Sequence, residues 1–122
     1  MADCVLLTNL LVTTSTVADQ VVLTYTVPVG KTFSLDYFYV MCRSTAPPGN
    51  PNPVVFGEAS LEHPPGTKLW TVDLVGNVAP REHGLTFPIP HQIPGGEVVR
   101  IVCTPAAATS FRWRVNLGGF LT

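Results

Sequence analysis

Proline and glycine cut this chain into short pieces, and the pieces have the residue content of β-strands. Twelve prolines and ten glycines fall among 122 residues. Proline removes a backbone donor and glycine permits positive φ, so their clusters mark turns and loops. Helical periodicity is almost absent between them. Segment 5–14 reads either way, and its β-branched residues favour a strand. Segment 20–27 places Val21, Leu23, Tyr25 and Val27 on one face. Further strands are expected at 33–43, 54–61, 68–75, 85–89, 97–104 and 110–117, with Gly57 as a bulge point. Pro88 and Pro90 confine 85–89 to a sheet edge or an early end. The connections include the proline-rich loop 47–53 and the polar loop 76–84.

Eight short strands at regular spacing predict one all-β domain over residues 1–122. The expected form is an eight-stranded antiparallel β-sandwich, jelly-roll-like. An immunoglobulin-like sandwich competes, but both tryptophans lie outside the place its Cys…Trp…Cys signature would need. Residues 1–16 are expected to form a strand or arm that contacts a neighbour, because a terminal strand can add to another sheet's edge.

The surface is the second constraint. Hydrophobic residues make up 46% of the chain and charged residues 12%, against about 25% charged in ordinary domains. The only lysines are Lys31 and Lys68. A chain this short exposes much of its area, so part of that area is expected to be covered by copies of itself or by a larger assembly. Segment 33–43 sharpens the point. Phe33, Leu35, Tyr37, Tyr39 and Met41 alternate with Phe38, Val40 and Cys42, so both faces read as apolar. A protomer contact, a covering loop such as 47–53, or a bulge that swaps the core face would each account for it.

Chemistry is harder to find. A net charge of -1 gives no footprint for nucleic acid. The apolar run 5–12 is too short to span a membrane. Cys4, Cys42 and Cys103 form no close pair; reduced thiols made in a cytoplasm are expected, with one bridge and one free thiol as the alternative. His63, His83 and His91 are expected in loops, with no His-x-His to seat a metal. No Gly-x-Ser-x-Gly occurs. Glu58 and Glu62 share a strand face with Ser60 and are read as a solvated surface rather than a glycosidase pair. No enzyme activity and no cofactor are expected. Arg100, Arg112 and Arg114 would form a basic stripe if the last two strands pair.

The run VLTYTVPVGKTFSL at 22–35, with Tyr25-Thr26-Val27-Pro28-x-Gly30-Lys31 followed by Phe33-x-Leu35, resembles small jelly-roll virion proteins of tailed bacteriophages. So does Ile93-Pro94-x-Gly96-x-Val98-Val99-Arg100-Ile101. The resemblance implies a capsid decoration or cement protein on the virion surface. It implies a homotrimer on a local three-fold axis, with the major capsid protein as partner. Contact residues would come from Tyr37, Tyr39, Met41, Trp70, Arg100, Arg112 and Arg114, the types that dominate interfaces. A tail-tip or receptor-binding module gripping host carbohydrate through loops 47–53 and 76–84 is the alternative.

Overall fold

A computed structural model describes residues 3–13, 18–44, 54–76, 81–105 and 111–122. The expectation for loop 47–53 lies outside the described residues, as do residues 77–80 of the expected loop 76–84, whose residues 81–84 are strand instead. Eight strands follow in order: β1 (Asp3–Thr13), β2 (Gln20–Thr26), β3 (Thr32–Ser44), β4 (Val54–Glu62), β5 (Lys68–Gly76), β6 (Arg81–Pro94), β7 (Val98–Pro105) and β8 (Phe111–Leu121). They form two four-stranded sheets with orders β1-β8-β3-β6 and β2-β7-β4-β5, and all pairings are antiparallel. Consecutive strands mostly lie in different sheets. This is the jelly-roll arrangement of two interleaved Greek keys.

Three tight turns share one chemistry. Pro28-Val29-Gly30-Lys31, Pro64-Pro65-Gly66-Thr67 and Pro94-Gly95-Gly96-Glu97 each close with an amide of the fourth residue donating to the first carbonyl. Each carries a glycine with φ near +90° at the third position, as a type II turn demands. The first and third turns meet. Val27 N–H donates to Glu97 O at 2.9 Å, and Gly96 N–H donates to Val27 O at 2.7 Å. The two stretches that carry the family resemblance are thus hydrogen-bonded to each other at one end of the sandwich.

The core lies between the sheets. Phe33, Leu35, Phe38, Val40, Cys42, Ile93, Trp113, Val115 and Leu117 project from one sheet. Val22, Val27, Ala59, Leu61, Leu74, Val99, Ile101 and Cys103 project from the other. Edge-to-face ring pairs Tyr25–Phe33 and Phe38–Trp70, both with centroids 5.1 Å apart, stitch the layers.

Several sequence expectations are corrected here. In segment 33–43 a bulge swaps the core face, so Phe33 and Leu35 do not share a face with Tyr37, Tyr39 and Met41. The segment's register shifts between Leu35 and Tyr37 against both neighbours, so Asp36 is a bulge and the core face passes from Phe33 and Leu35 to Phe38, Val40 and Cys42. A second bulge at Val22 turns that residue inward and leaves Val21 exposed. Strand 85–89 extends to Arg81–Pro94. Its prolines are accommodated at the sheet edge, where the register skips four residues between Thr86 and His91. β8 runs past Leu117 to Leu121, through Gly118 and Gly119. A side chain at Gly119 would collide with the Ser34 carbonyl and the Phe33 ring. Gly57 does mark a register shift, as expected.

Candidate interaction surface

The outward face of the β1-β8-β3-β6 sheet can be read row by row from its register. The rows are Cys4–Phe120–Ser34–Gln92, Leu6–Gly118–Tyr37–Thr86, Thr8–Asn116–Tyr39–Gly84 and Leu10–Arg114–Met41–Glu82. Arg112 and Arg43 face each other beyond the last row. Strand alternation, corrected for the Asp36 bulge, puts all of these side chains on the outside. Leu6 is 67% exposed, Leu10 44% and Phe120 43%. Tyr37, Tyr39 and Met41 are half-buried beside one another. Gly118 lets Leu6 and Tyr37 approach across β8: a methyl there would touch both at about 3.5 Å. Leu6, Thr8, Asn9, Leu10, Arg114 and Asn116 line an open depression of about 550 Å³.

Polar groups on this face are few and directed. Tyr39 Oη donates to Glu82 Oε2 at 2.6 Å. Burial and that carboxylate push the phenol up to about 12, so it remains a donor at physiological pH. Ser34 Oγ donates to Gln92 Oε1 at 3.0 Å. Arg43, Arg112 and Arg114 form no ion pair among the described residues, and Arg112 Nε is buried without a hydrogen-bond partner.

The other outward face is a contrast. It presents Thr24 and Thr26 from β2, Glu58, Ser60 and Glu62 from β4, Thr71 and Asp73 from β5, and Arg100 and Thr104 from β7. These residues satisfy one another. Arg100 Nε donates to Glu62 Oε1 at 2.7 Å and Gly66 N–H donates to the same oxygen at 2.8 Å. Lys68 Nζ donates to Glu58 Oε1 at 2.6 Å. Ser60 and Thr71 hydroxyls lie 3.2 Å apart. Burial works against the Glu62 charge, but the Gly66 amide and Arg100 outweigh it and hold the carboxyl below its usual range. A glycosidase acid needs the opposite shift.

The expected contact residues therefore separate. Tyr37, Tyr39, Met41, Arg112 and Arg114 come together on one face. Arg100 does not join them: β7 and β8 lie in different sheets, so no three-arginine stripe forms and Arg100 is tied to Glu62. Trp70 turns toward the core margin, edge-to-face with Phe38 and 4.8 Å from His83 by ring centroids. Leu6, Leu10 and Phe120 were missing from the sequence reading. The alternation of Cys4, Leu6, Thr8 and Leu10 against Val5 and Leu7 was the available signal for the leucines. The glycine pair before Phe120 read as a strand end.

The histidines also differ from expectation, since His83 and His91 lie in β6. His63 Nδ1 and His91 Nε2 are 2.9 Å apart, and His63 Nε2 meets Glu97 Oε1 at 2.9 Å. Burial, with His63 alongside, lowers the His91 pKa. The three groups form a line rather than converging on one point, and among the described residues no cluster of three or more His, Cys, Asp or Glu could hold a metal. All three cysteines are free. Burial pushes Cys42 up to about 12 and raises Cys103 as well, which leaves both thiols inert.

No family model matches this chain, and no curated protein matches it. Among solved structures, a chain of the cyanophage Pam1 capsid asymmetric unit superposes with a TM-score of 0.56. The match covers 98% of this chain and 85% of that one at 10% sequence identity. At that identity the likeness shows a shared fold.

Proposed function

We propose that this chain is a structural protein of a bacteriophage virion, and specifically a decoration or cement protein on the outer surface of the head. It would be made in the host cytoplasm and bind the major capsid protein and copies of itself, with no nucleic-acid, membrane or cofactor partner. The observation that carries this reading is the outward face of the β1-β8-β3-β6 sheet, where Leu6, Leu10, Tyr37, Tyr39, Met41 and Phe120 lie beside arginines without an ion pair among the described residues. A face of that kind fits an interface core with aromatic and arginine anchors. The jelly-roll match to a capsid chain supports the same setting.

The role is mechanical, not catalytic. A protein seated across neighbouring capsid subunits buries surface on each, and separating the subunits then requires re-exposing it. An interface of about 1,600 Å² supports affinities from micromolar to picomolar, depending on its anchors. The arginines would meet acidic groups on the shell through charge-assisted hydrogen bonds. Three copies on a three-fold axis rest on the family resemblance alone; the strand edges described below favour two. No observation in the described residues favours the tail-tip carbohydrate reading.

The test is sedimentation of the purified protein with phage heads that lack it. Saturable co-sedimentation, with heads that resist heat better when loaded, supports the role. Protein left at the top of the gradient, with heads unchanged, overturns it.

A further inference from the structure

The four sheet edges of this molecule are not equally protected. β6 carries Pro88, Pro90 and Pro94 and skips four residues of register. β5 carries Lys68 and Asp73 and shifts register near both ends. β2 is short, bulged at Val22 and followed by Pro28. Each is a recognised way of blocking strand addition. β1 has none of them. It is 11 residues long, unbulged against β8, without proline, glycine or lysine, and charged only at Asp3.

Part of this edge is nevertheless closed. The Leu10 amide donates to Asn9 Oδ1 at 2.9 Å, and Asn9 Nδ2 reaches the Val22 carbonyl at 2.5 Å. Asn9 thus ties β1 to β2 across the side of the sandwich. With the Leu10 amide turned away from β8, alternation turns those of Cys4, Leu6 and Thr8 the same way. Among the described residues the open stretch is 3–9, and its midpoint is Leu6, which is 67% exposed.

We propose that β1 is a self-pairing edge: two copies of this chain join β1 to β1 in antiparallel fashion about a two-fold axis at Leu6. The axis sets Leu6 against the partner's Leu6, Cys4 against the partner's Thr8, and Asp3 against the partner's Asn9. A head-to-tail contact would need a second open edge, and the described strands offer none. An isologous contact uses one edge twice and closes. Pairing makes one eight-stranded sheet and doubles the apolar face assigned above to the capsid. The inference rests on that reading only for the use of the doubled face.

The experiment measures mass in solution by sedimentation equilibrium, without heads, and then maps the register by crosslinking. The native chain should be a dimer. Leu6→Lys sets two ammonium groups opposite each other and removes a leucine contact, and should raise the dissociation constant tenfold or more, roughly. Its circular dichroism should be unchanged, since Leu6 is exposed, while its melting temperature should lose the dependence on protein concentration that the native dimer shows. Thr8→Cys, oxidised with glutathione disulfide, should form covalent dimers through the partner's Cys4, because paired Cα atoms lie about 5.5 Å apart. Adding Cys4→Ser to that variant should abolish them. Thr24→Cys on the other sheet should give none. A monomer at tens of micromolar, a trimer, or a dimer that ignores Leu6→Lys and shows no Cys4-dependent crosslink overturns the proposal. A dimer that fails to bind heads leaves the edge pairing intact and refutes the capsid role instead.

Discussion

The two outward faces of this sandwich are built on the same kind of frame and have opposite chemistry. On the β2-β7-β4-β5 face, charged and hydroxyl side chains find partners within the chain: Arg100 with Glu62, Lys68 with Glu58, Ser60 with Thr71, and Thr104 with Asp19 at 2.5 Å. On the β1-β8-β3-β6 face, leucines and tyrosines lie beside arginines that have no such partner among the described residues. A face that satisfies itself is suited to water. A face that leaves apolar area and cations unmatched is suited to another surface. The contrast lies in pairing rather than in number: both faces carry charges, but only the β2-β7-β4-β5 face pairs its cations with carboxylates among the described residues.

The largest effect should come from beneath both faces. Trp113 is fully buried, and its indole N–H has no hydrogen-bond partner among the described residues. Trp113→Ala should cost about 4 kcal/mol of folding stability, read by urea denaturation, and should disable both faces together. Next, Tyr39→Ala should weaken binding to phage heads by about 2 kcal/mol, near thirtyfold. Thr71→Ala, on the opposite face, should leave head binding unchanged. Equal losses would erase the distinction between the faces.

Arg100→Met reverses the test. It strands Glu62, 5% exposed, so folding should lose about 2 kcal/mol, a buried-pair cost reduced because Arg100 is partly solvated. Head binding should not change once the protein is folded. The smallest effect is on pH dependence. Glu62 titrates below its unfolded value, so its contribution is present above the usual carboxylate range and is lost as pH falls through the lowered pKa. His91 is also lowered, so the unfolded chain binds the extra proton first. Its contribution is full above about pH 6.5 and declines below it. His91→Gln should flatten the stability curve between pH 5 and 7, and an unchanged slope would exclude the His63–His91 pair as its source.

Strand content was legible because alternation and proline–glycine punctuation are local properties of the chain. All eight strands and the Gly57 irregularity were readable that way. Bulges were not. One extra residue at Asp36 or Val22 reverses every side chain after it, and nothing in the residues themselves marks the reversal. It is the Asp36 bulge that separates the core residues Phe33 and Leu35 from the surface residues Tyr37, Tyr39 and Met41. The arginine stripe failed for a different reason. Adjacency in sequence does not determine which sheet a jelly-roll strand enters, and β7 and β8 are divided between the two layers. The glycines of β8 read as a terminus because their value lies in close approach to Ser34, Phe33 and Tyr37, which is a tertiary fact.

The most direct test of the two-faced account is hydroxyl-radical footprinting of the protein free and bound to phage heads. The account predicts that binding protects Leu6, Tyr37, Tyr39, Met41 and Phe120, while oxidation at Val21, on the edge of the other sheet, continues unchanged. Protection of Val21 with continued oxidation of the two tyrosines would contradict it.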